Sequence, residues 1–136
     1  MKYLLDTNVI SETIKRNPNE SVISWLNSIN ANYFCISVLT LGEIRKGAEK
    51  LQDISRKQKI VKWLQIDLAR DFAERIIAID EEVADKWGYI TSQTNVPAID
   101  GLIGASAIAN NLILVTRNSK DFISIPGLEL INPWEI

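Results

Sequence analysis

The chain has 136 residues, 46% of them apolar, which is enough for a single domain with a core over residues 1–136 and argues against disorder. It contains no histidine and one cysteine, which excludes Ser-His-Asp and Cys-His catalysis, histidine-based acid–base chemistry and the usual catalytic zinc sites. The formal net charge of −2 comes from 17 acidic and 15 basic residues. If four acids were committed to a metal ion, the remaining surface would carry a slight positive excess.

No part of the sequence indicates secretion or membrane insertion. No charged-then-apolar leader opens the chain, and no apolar run approaches the roughly 20 residues that span a bilayer. The single cysteine, Cys35, cannot form an internal disulfide and lies in a run, Tyr33–Ile36, that is typical of a buried strand. We therefore expect a cytoplasmic protein without a membrane partner.

The apolar pattern alternates between short strand-like runs and longer helical ones. Ser21 and Asp80 are predicted to cap two of the helices. This alternation predicts an α/β fold, a three-layer α/β/α sandwich around a mostly parallel sheet of four to five strands. In chain order we predict strand Lys2–Leu5, helix Asn8–Lys15, helix Ser21–Ile29, strand Tyr33–Ser37, helix Leu39–Leu51, helix Ser55–Ala69, strand Arg75–Ile79, helix Glu81–Thr94, helix Asp100–Asn110, strand Leu112–Thr116 and strand Glu129–Ile131.

Four acids fall at one edge of this predicted sheet. Asp6 follows the first strand, Glu43 lies early in the helix after the second, and Asp121 is predicted in the loop after the fourth. Asp100 opens the helix that precedes the fourth strand, and such a helix begins at the carboxyl edge of the strands. Taken singly, each has an ordinary structural interpretation as a turn, cap or solvated residue. Together they predict a site for a divalent cation such as Mg²⁺ or Mn²⁺.

Polar and basic residues accompany these acids. Ser37 ends the second strand, where it could orient a carboxylate or a metal-bound water. The other predicted supporting residues are Thr7, Asn8, Thr116 and Asn118. The basic residues that could hold a phosphate are Arg45, Lys46, Lys50 and Arg117. Lys46 and Lys50 share a helix face with Glu43, although a solvated helical hairpin explains these charges equally well.

Four segments that contain the four acids follow one another along the chain: YLLDTNVISE (3–12), ISVLTLGEI (36–44), AIDGLIGASA (98–107) and LVTRNSKDF (114–122). In this order they resemble the motifs of the PIN-domain family, and within it the VapC-type toxins of bacterial and archaeal toxin–antitoxin pairs. The similarity runs nearly end to end. It implies that Asp6 and Asp100 are direct metal ligands, and that Glu43 and Asp121 act through waters or complete a second metal position.

The resemblance also implies an activity and partners. The activity is metal-dependent endoribonuclease cleavage, in which a metal-activated water hydrolyses the phosphodiester and leaves a 5′-phosphate and a 3′-hydroxyl. The implied partners are an RNA substrate, a second copy of the chain, and a cognate antitoxin that enters the site and through which the complex contacts DNA. The candidate contacts to that RNA are Arg45, Lys46, Lys50 and Arg117. The sequence itself shows only apolar helices that could pair, such as 21–29 and 55–68.

Three alternatives remain open at this stage. The same acids could cut DNA or structured nucleic acid. A phosphatase could use Asp6 as its nucleophile, although Asn8 stands where such enzymes usually carry a second acid. The chain could instead be a non-catalytic regulatory binding module. The RNA target and the choice between Mg²⁺ and Mn²⁺ are not determined by the sequence.

Overall fold

Five short strands form one parallel sheet in the computed structural model, which describes residues 1–136. The strands are β1 (Tyr3–Leu5), β2 (Phe34–Ser37), β3 (Ile76–Ile77), β4 (Ile113–Val115) and β5 (Leu130–Ile131). Their order across the sheet is β3-β2-β1-β4-β5, and every neighbouring pair is parallel. The chain therefore builds outward from β1 to β3 and then returns to the other side of β1 for β4. The carboxyl end of β1 lies at this change of direction.

Eight α-helices connect and cover the strands. They are α1 (Thr7–Glu12), α2 (Glu20–Asn27), α3 (Val38–Glu49), α4 (Ile54–Lys62), α5 (Ala69–Asp71), α6 (Glu81–Gln93), α7 (Ala98–Ala109) and α8 (Ser119–Phe122). A 3₁₀ turn at Ala31–Tyr33 precedes β2, and a π-helical segment, Trp63–Leu68, joins α4 to α5. No helix is both long enough and apolar enough to cross a bilayer.

Strand residues alternate between two apolar clusters, which gives the domain its three layers. Successive strand side chains point to opposite faces of the sheet. On one face, Leu4, Cys35 and Leu114 pack with α6, α7 and α8. On the other, Leu5, Ile36 and Val115 pack with α1, α2, α3 and the π-helical segment. Each buried Leu, Ile or Val contributes about 1.5–3 kcal/mol to folding. The predicted three-layer α/β/α sandwich is confirmed, with all strands parallel.

Every observed strand lies inside its predicted range, whereas some helices and one cap differ. Helix α1 ends at Glu12 rather than Lys15, and α8 lies where a loop was predicted. The predicted helix Ser55–Ala69 becomes α4 followed by the π-helical segment. Apolar periodicity does not distinguish an α-helix from a π-helix here. The buried residues Leu64 and Leu68 are four positions apart, a spacing that also suits an α-helix. Ser21 does not cap α2. The Asn19 side chain accepts the hydrogen bond from the Val22 amide instead, and the Ser21 hydroxyl donates to the carbonyl of Pro133.

Glu12, at the end of α1, is a buried acid whose place the sequence did not indicate. Only 4% of the residue is exposed. Its carboxylate forms a 2.8 Å ion pair with Lys15 and accepts a 2.8 Å hydrogen bond from the Asn19 amide. Burial raises its pKa, but these two partners more than compensate, so that the pKa of Glu12 lies below its usual value. This carboxylate thus fastens α1 to the start of α2.

Candidate functional site

The parallel sheet brings Asp6, Glu43, Asp100 and Asp121 to one edge, as predicted. Asp6 directly follows β1, and Glu43 lies in the second turn of α3, which begins where β2 ends. Asp100 is in the first turn of α7, and Asp121 lies in α8, a short helix where a loop was predicted. β1 and β4 are neighbours at the change of chain direction, and open α/β sheets form their sites beyond the strand ends at such points.

Asp6 is buried and held by three donors. Its Oδ1 accepts a 2.8 Å hydrogen bond from the Thr7 amide, and its Oδ2 accepts one of 2.9 Å from the Thr116 hydroxyl. The Asn8 amide nitrogen lies 3.4 Å from the same Oδ2. Burial raises the pKa of Asp6; the bonds from Thr116 and Thr7 lower it in part, and the charge of Glu43 raises it again. The carboxylate is therefore fixed in position, but no positively charged side chain compensates its negative charge.

Thr116, which follows β4, and Asn8, in α1, form a hydrogen-bond network that links the carboxyl ends of β1 and β4. Thr116 is fully buried, and its hydroxyl also accepts a 3.0 Å hydrogen bond from the Asn118 amide. The Asn8 side-chain oxygen accepts a 3.2 Å bond from the Arg117 amide. The predicted supporting roles of Thr116 and Asn8 therefore have a geometric basis. The side chain of Asn118 makes no capping hydrogen bond and remains available.

Glu43 is exposed and is oriented by hydroxyl groups from two helices. The Thr7 hydroxyl donates a 2.6 Å hydrogen bond to Glu43 Oε1, and the Thr40 hydroxyl lies 3.0 Å from the Thr7 hydroxyl. Ser37 does not contact a carboxylate, which was one of the two roles predicted for it. Its side chain accepts a 3.1 Å bond from the Leu39 amide and so caps α3. Ser37 acts on the site only by fixing the start of the helix that carries Glu43.

Asp100 and Asp121 line one polar pocket. The pocket, about 570 Å³ in volume, is formed by these two acids, Ser124 and the loop 93–97; we call it the α6–α7 pocket. Burial, followed by the negative charges of Asp121 and Glu43, raises the pKa of Asp100. The four acids thus affect one another electrostatically, and nothing cationic in the chain relieves the repulsion at Asp100.

The donor set fits a hard divalent cation. No three His, Cys, Asp or Glu side chains stand close enough together to coordinate an ion. Mg²⁺ does not require such a cage, because it commonly keeps several waters and binds through one or two carboxylates. The available ligands are carboxylate oxygens whose mutual repulsion a cation would relieve.

The candidate RNA contacts differ in their availability. Lys46 and Lys50 form no ion pair, and both line a groove of about 540 Å³ together with Glu43 and Ile99. Arg45, in contrast, forms a 3.0 Å ion pair with Glu49. The Arg117 guanidinium lies over the Trp134 ring, 5.3 Å from its centroid. Lys46 and Lys50 are therefore the basic side chains that are available to bind a phosphate in the groove beside Glu43.

Thr40 is a site residue that the sequence analysis missed. It is fully buried and holds the Thr7 hydroxyl that orients Glu43. A signal was present, because Thr40 precedes Glu43 by three residues and positions three apart share a helix face. A buried threonine on the face that carries an acid could have indicated a positioning role.

Related proteins share this whole architecture. A model of the PIN domain matches residues 3–128. Toxin FitB of Neisseria gonorrhoeae is 35% identical over 96% of this chain and 97% of its own, and the tRNA(fMet)-specific endonuclease VapC of Salmonella typhimurium is 32% identical over 98% of both. The crystal structure of FitAcB from Neisseria gonorrhoeae superposes with a TM-score of 0.92 (34% identity, 98% and 99% coverage). That of DNA-bound VapBC from Salmonella typhimurium gives 0.81 (28% identity, 98% of both). The chain therefore belongs to the PIN domain family.

Proposed function

We propose that this chain is a metal-dependent endoribonuclease and the toxin component of a toxin–antitoxin pair. The observation that best supports this proposal is that Asp6, Glu43, Asp100 and Asp121 lie at the edge where β1 and β4 end. Burial and mutual repulsion raise the pKa of Asp6 and of Asp100 there. The relatives named for toxin and tRNA-cleaving activities match nearly the full chain. An all-carboxylate site without histidine supports hydrolysis assisted by Mg²⁺ or Mn²⁺.

Each site residue has a proposed task. Asp6 and Asp100 would hold the ion, while Glu43 and Asp121 would act through water or complete a second metal position. A bound divalent ion would lower the pKa of a water molecule and offset the negative charge that develops on the phosphate. Thr116 and Asn8 keep Asp6 in one orientation. Thr7 does the same for Glu43.

The test of this function is cleavage of total RNA by the purified protein. We expect cleavage with Mg²⁺ or Mn²⁺, none with a chelator, and products that carry a 5′-phosphate and a 3′-hydroxyl. A 2′,3′-cyclic phosphate product would contradict water-mediated hydrolysis. Cleavage of DNA but not RNA would favour the alternative nuclease, and absence of any cleavage without antitoxin present would favour a regulatory binding module.

Thr116→Val is expected to weaken metal binding without unfolding the chain. Valine keeps the shape of threonine but removes the hydroxyl that donates to Asp6 Oδ2. Loss of a group that orients a metal ligand typically costs 10- to 100-fold in affinity, so the half-saturating Mg²⁺ concentration for cleavage should rise by about that factor. Thr116→Ser should restore it. An unchanged Mg²⁺ dependence in Thr116→Val would refute the positioning role.

Lys46→Ala combined with Lys50→Ala is expected to weaken RNA binding and flatten its salt dependence. Each phosphate contact to single-stranded nucleic acid contributes about 0.7 to the slope of log K against log salt. The double variant should therefore lose up to about 1.4 of that slope in a fluorescence titration. Lys2→Ala, which precedes β1 at the opposite edge of the sheet, is the matched control. Equal slopes for the double variant and wild type would refute the groove as a phosphate path.

The proposed partners are an antitoxin and a second copy of the chain. An apolar groove of about 670 Å³ runs between α1, α2 and the π-helical segment and includes Ile10, Leu26 and Trp63. It combines residues of the two apolar stretches, 21–29 and 55–68, that the sequence offers for pairing, and it supports binding of a partner helix. The VapBC complex from Salmonella typhimurium is DNA-bound, and we propose that this chain contacts DNA only through its antitoxin.

A further inference from the structure

The loop between α6 and α7 carries polar side chains that the fold does not use. Asn95 and Ser124 face the α6–α7 pocket, are exposed, and form no side-chain hydrogen bond within the chain. Gln93 makes only a 3.4 Å contact with the Ser92 hydroxyl. Donors and acceptors of all three remain free inside a concave site that also contains Asp100 and Asp121.

Other side chains hold this loop in one conformation. The Thr94 hydroxyl donates to the Ile90 carbonyl at 3.0 Å and accepts from the Val96 amide at 3.3 Å. The indole of Trp87 donates to the Ala98 carbonyl at 3.2 Å and packs so closely on Gly101 that an added Cβ there would lie 3.2 Å from the ring. The side chains that hold the loop in place are thus different from the side chains without hydrogen bonds. The pocket therefore exists before a ligand binds.

The composition of the pocket favours a neutral, hydrogen-bonding ligand. No lysine or arginine lines it, so apart from an ion held by the two carboxylates the pocket offers no charge that would attract a second phosphate. A carboxamide offers one donor and one acceptor side by side, which matches the edge of an unpaired nucleobase. Bases of single-stranded RNA are commonly recognised at such edges.

We propose that the α6–α7 pocket binds one unpaired nucleobase next to the scissile phosphate and that Asn95 reads its hydrogen-bonding edge. This inference rests on the proposed ribonuclease function. It divides the RNA path between two surfaces: the groove of Lys46 and Lys50 takes phosphates on the Glu43 side, and the pocket selects a base on the Asp121 side. Asn95 is then a specificity-determining residue for cleavage.

The test is the cleavage preference of wild type and Asn95→Ala on a pool of random-sequence single-stranded RNA. The ends of the products are sequenced to give the nucleotide frequency at each position around the cut. Wild type should prefer one nucleotide at one position by at least about fivefold, as one two-bond contact to a base allows. Asn95→Ala should reduce that preference to under about twofold while it still cleaves. Asn32→Ala, which removes an exposed carboxamide just before β2 at the opposite edge, should keep the wild-type preference.

The outcomes separate this proposal from the function on which it rests. Wild-type cleavage with no preference at any position would overturn the pocket proposal alone. So would an Asn95→Ala variant that keeps the preference, or one that cleaves every sequence more slowly by the same factor with an unchanged melting temperature. If Asn95→Ala proves unstable, Asn95→Asp, which replaces the amide donors with a charged acceptor oxygen, must lose the preference instead. Failure of wild type to cleave any RNA with Mg²⁺ or Mn²⁺ would overturn both.

Discussion

Asp6→Asn and Asp100→Asn are each expected to lower the rate of RNA cleavage at least about a hundredfold. Each change replaces a carboxylate with a neutral amide of the same shape, so the proposed ion loses a charged ligand while the packing is kept. Asp6 is buried between β1 and β4, and Asp100 lines the α6–α7 pocket, so the two variants probe the site from opposite sides. The measurement is the initial rate on a defined RNA at saturating Mg²⁺.

A matched control separates the site from the overall loss of one charge. Asp85→Asn makes the same chemical change at an exposed position of α6 and should leave the rate unchanged. Near wild-type cleavage by either Asp6→Asn or Asp100→Asn, with the same Mg²⁺ requirement, would remove that residue from the catalytic set. Loss of cleavage in Asp85→Asn as well would show that the effect is not specific to the four acids of the site.

Asp100→Asn is also expected to stabilise the metal-free protein. Burial and the charges of Asp121 and Glu43 disfavour the ionised form of Asp100, and no hydrogen bond offsets them. Solvent screens a partly exposed carboxylate, so we expect a gain of about 0.5–1 kcal/mol in the free energy of unfolding. This corresponds to a rise in Tm of about 2–4 °C. The protein would then be more stable without one of its proposed functional groups.

The pH dependence of this gain has a definite sign. In the folded chain Asp100 holds its proton to a higher pH than in the unfolded chain, where its pKa is close to 3.8, the ordinary value of an aspartate side chain. Between these two values the folded state binds more protons, so the free energy of unfolding falls as pH rises. The stability advantage of Asp100→Asn should be absent below pH 3.8, grow through that window and be complete above the raised pKa.

Thermal melts of the two proteins in chelator, from pH 3.5 to pH 8, check this prediction. Added Mg²⁺ or Mn²⁺ should raise the Tm of wild type, because an ion that binds only the folded chain stabilises it. The same ion should raise the Tm of Asp100→Asn by less. An Asp100→Asn variant that melts below wild type at pH 7 in chelator would show that the carboxylate is stabilised by its surroundings, contrary to the repulsion inferred here.

Much of the fold could be predicted because its determinants are local. Short runs such as Leu112–Thr116 place side chains in both apolar clusters, and this two-sided burial identifies a central parallel strand. The edge position of Asp6 and Asp100 followed from topology alone, since a helix before a parallel strand begins at the strands' carboxyl edge. The π-helical segment could not be predicted, because its apolar spacing suits an α-helix equally well.

The details of the site depended on contacts between distant residues. Ser37 looked suited to orient a carboxylate, but its hydroxyl is used by the Leu39 amide at the start of α3. Arg45 counted as a candidate RNA contact, yet its partner Glu49 lies one turn along the same helix, a spacing that could have indicated the pair. The free carboxamide of Asn95 became visible only once the loop around it, and the acids beside it, had positions in space.

The position of β1 in the sheet also affects when the molecule becomes active during its own synthesis. β1 is made before the other four strands, but Asp6 obtains the Thr116 hydroxyl bond from a residue 110 positions later in the chain. At translation speeds of about 5–20 residues per second, this separation corresponds to a delay of about 5–20 s. Asp100 and Asp121 also join the edge long after Asp6 has been made. A nascent chain on the ribosome therefore lacks the assembled acidic edge until Thr116 and Asp121 have emerged, which delays any nuclease activity near the RNA that encodes it.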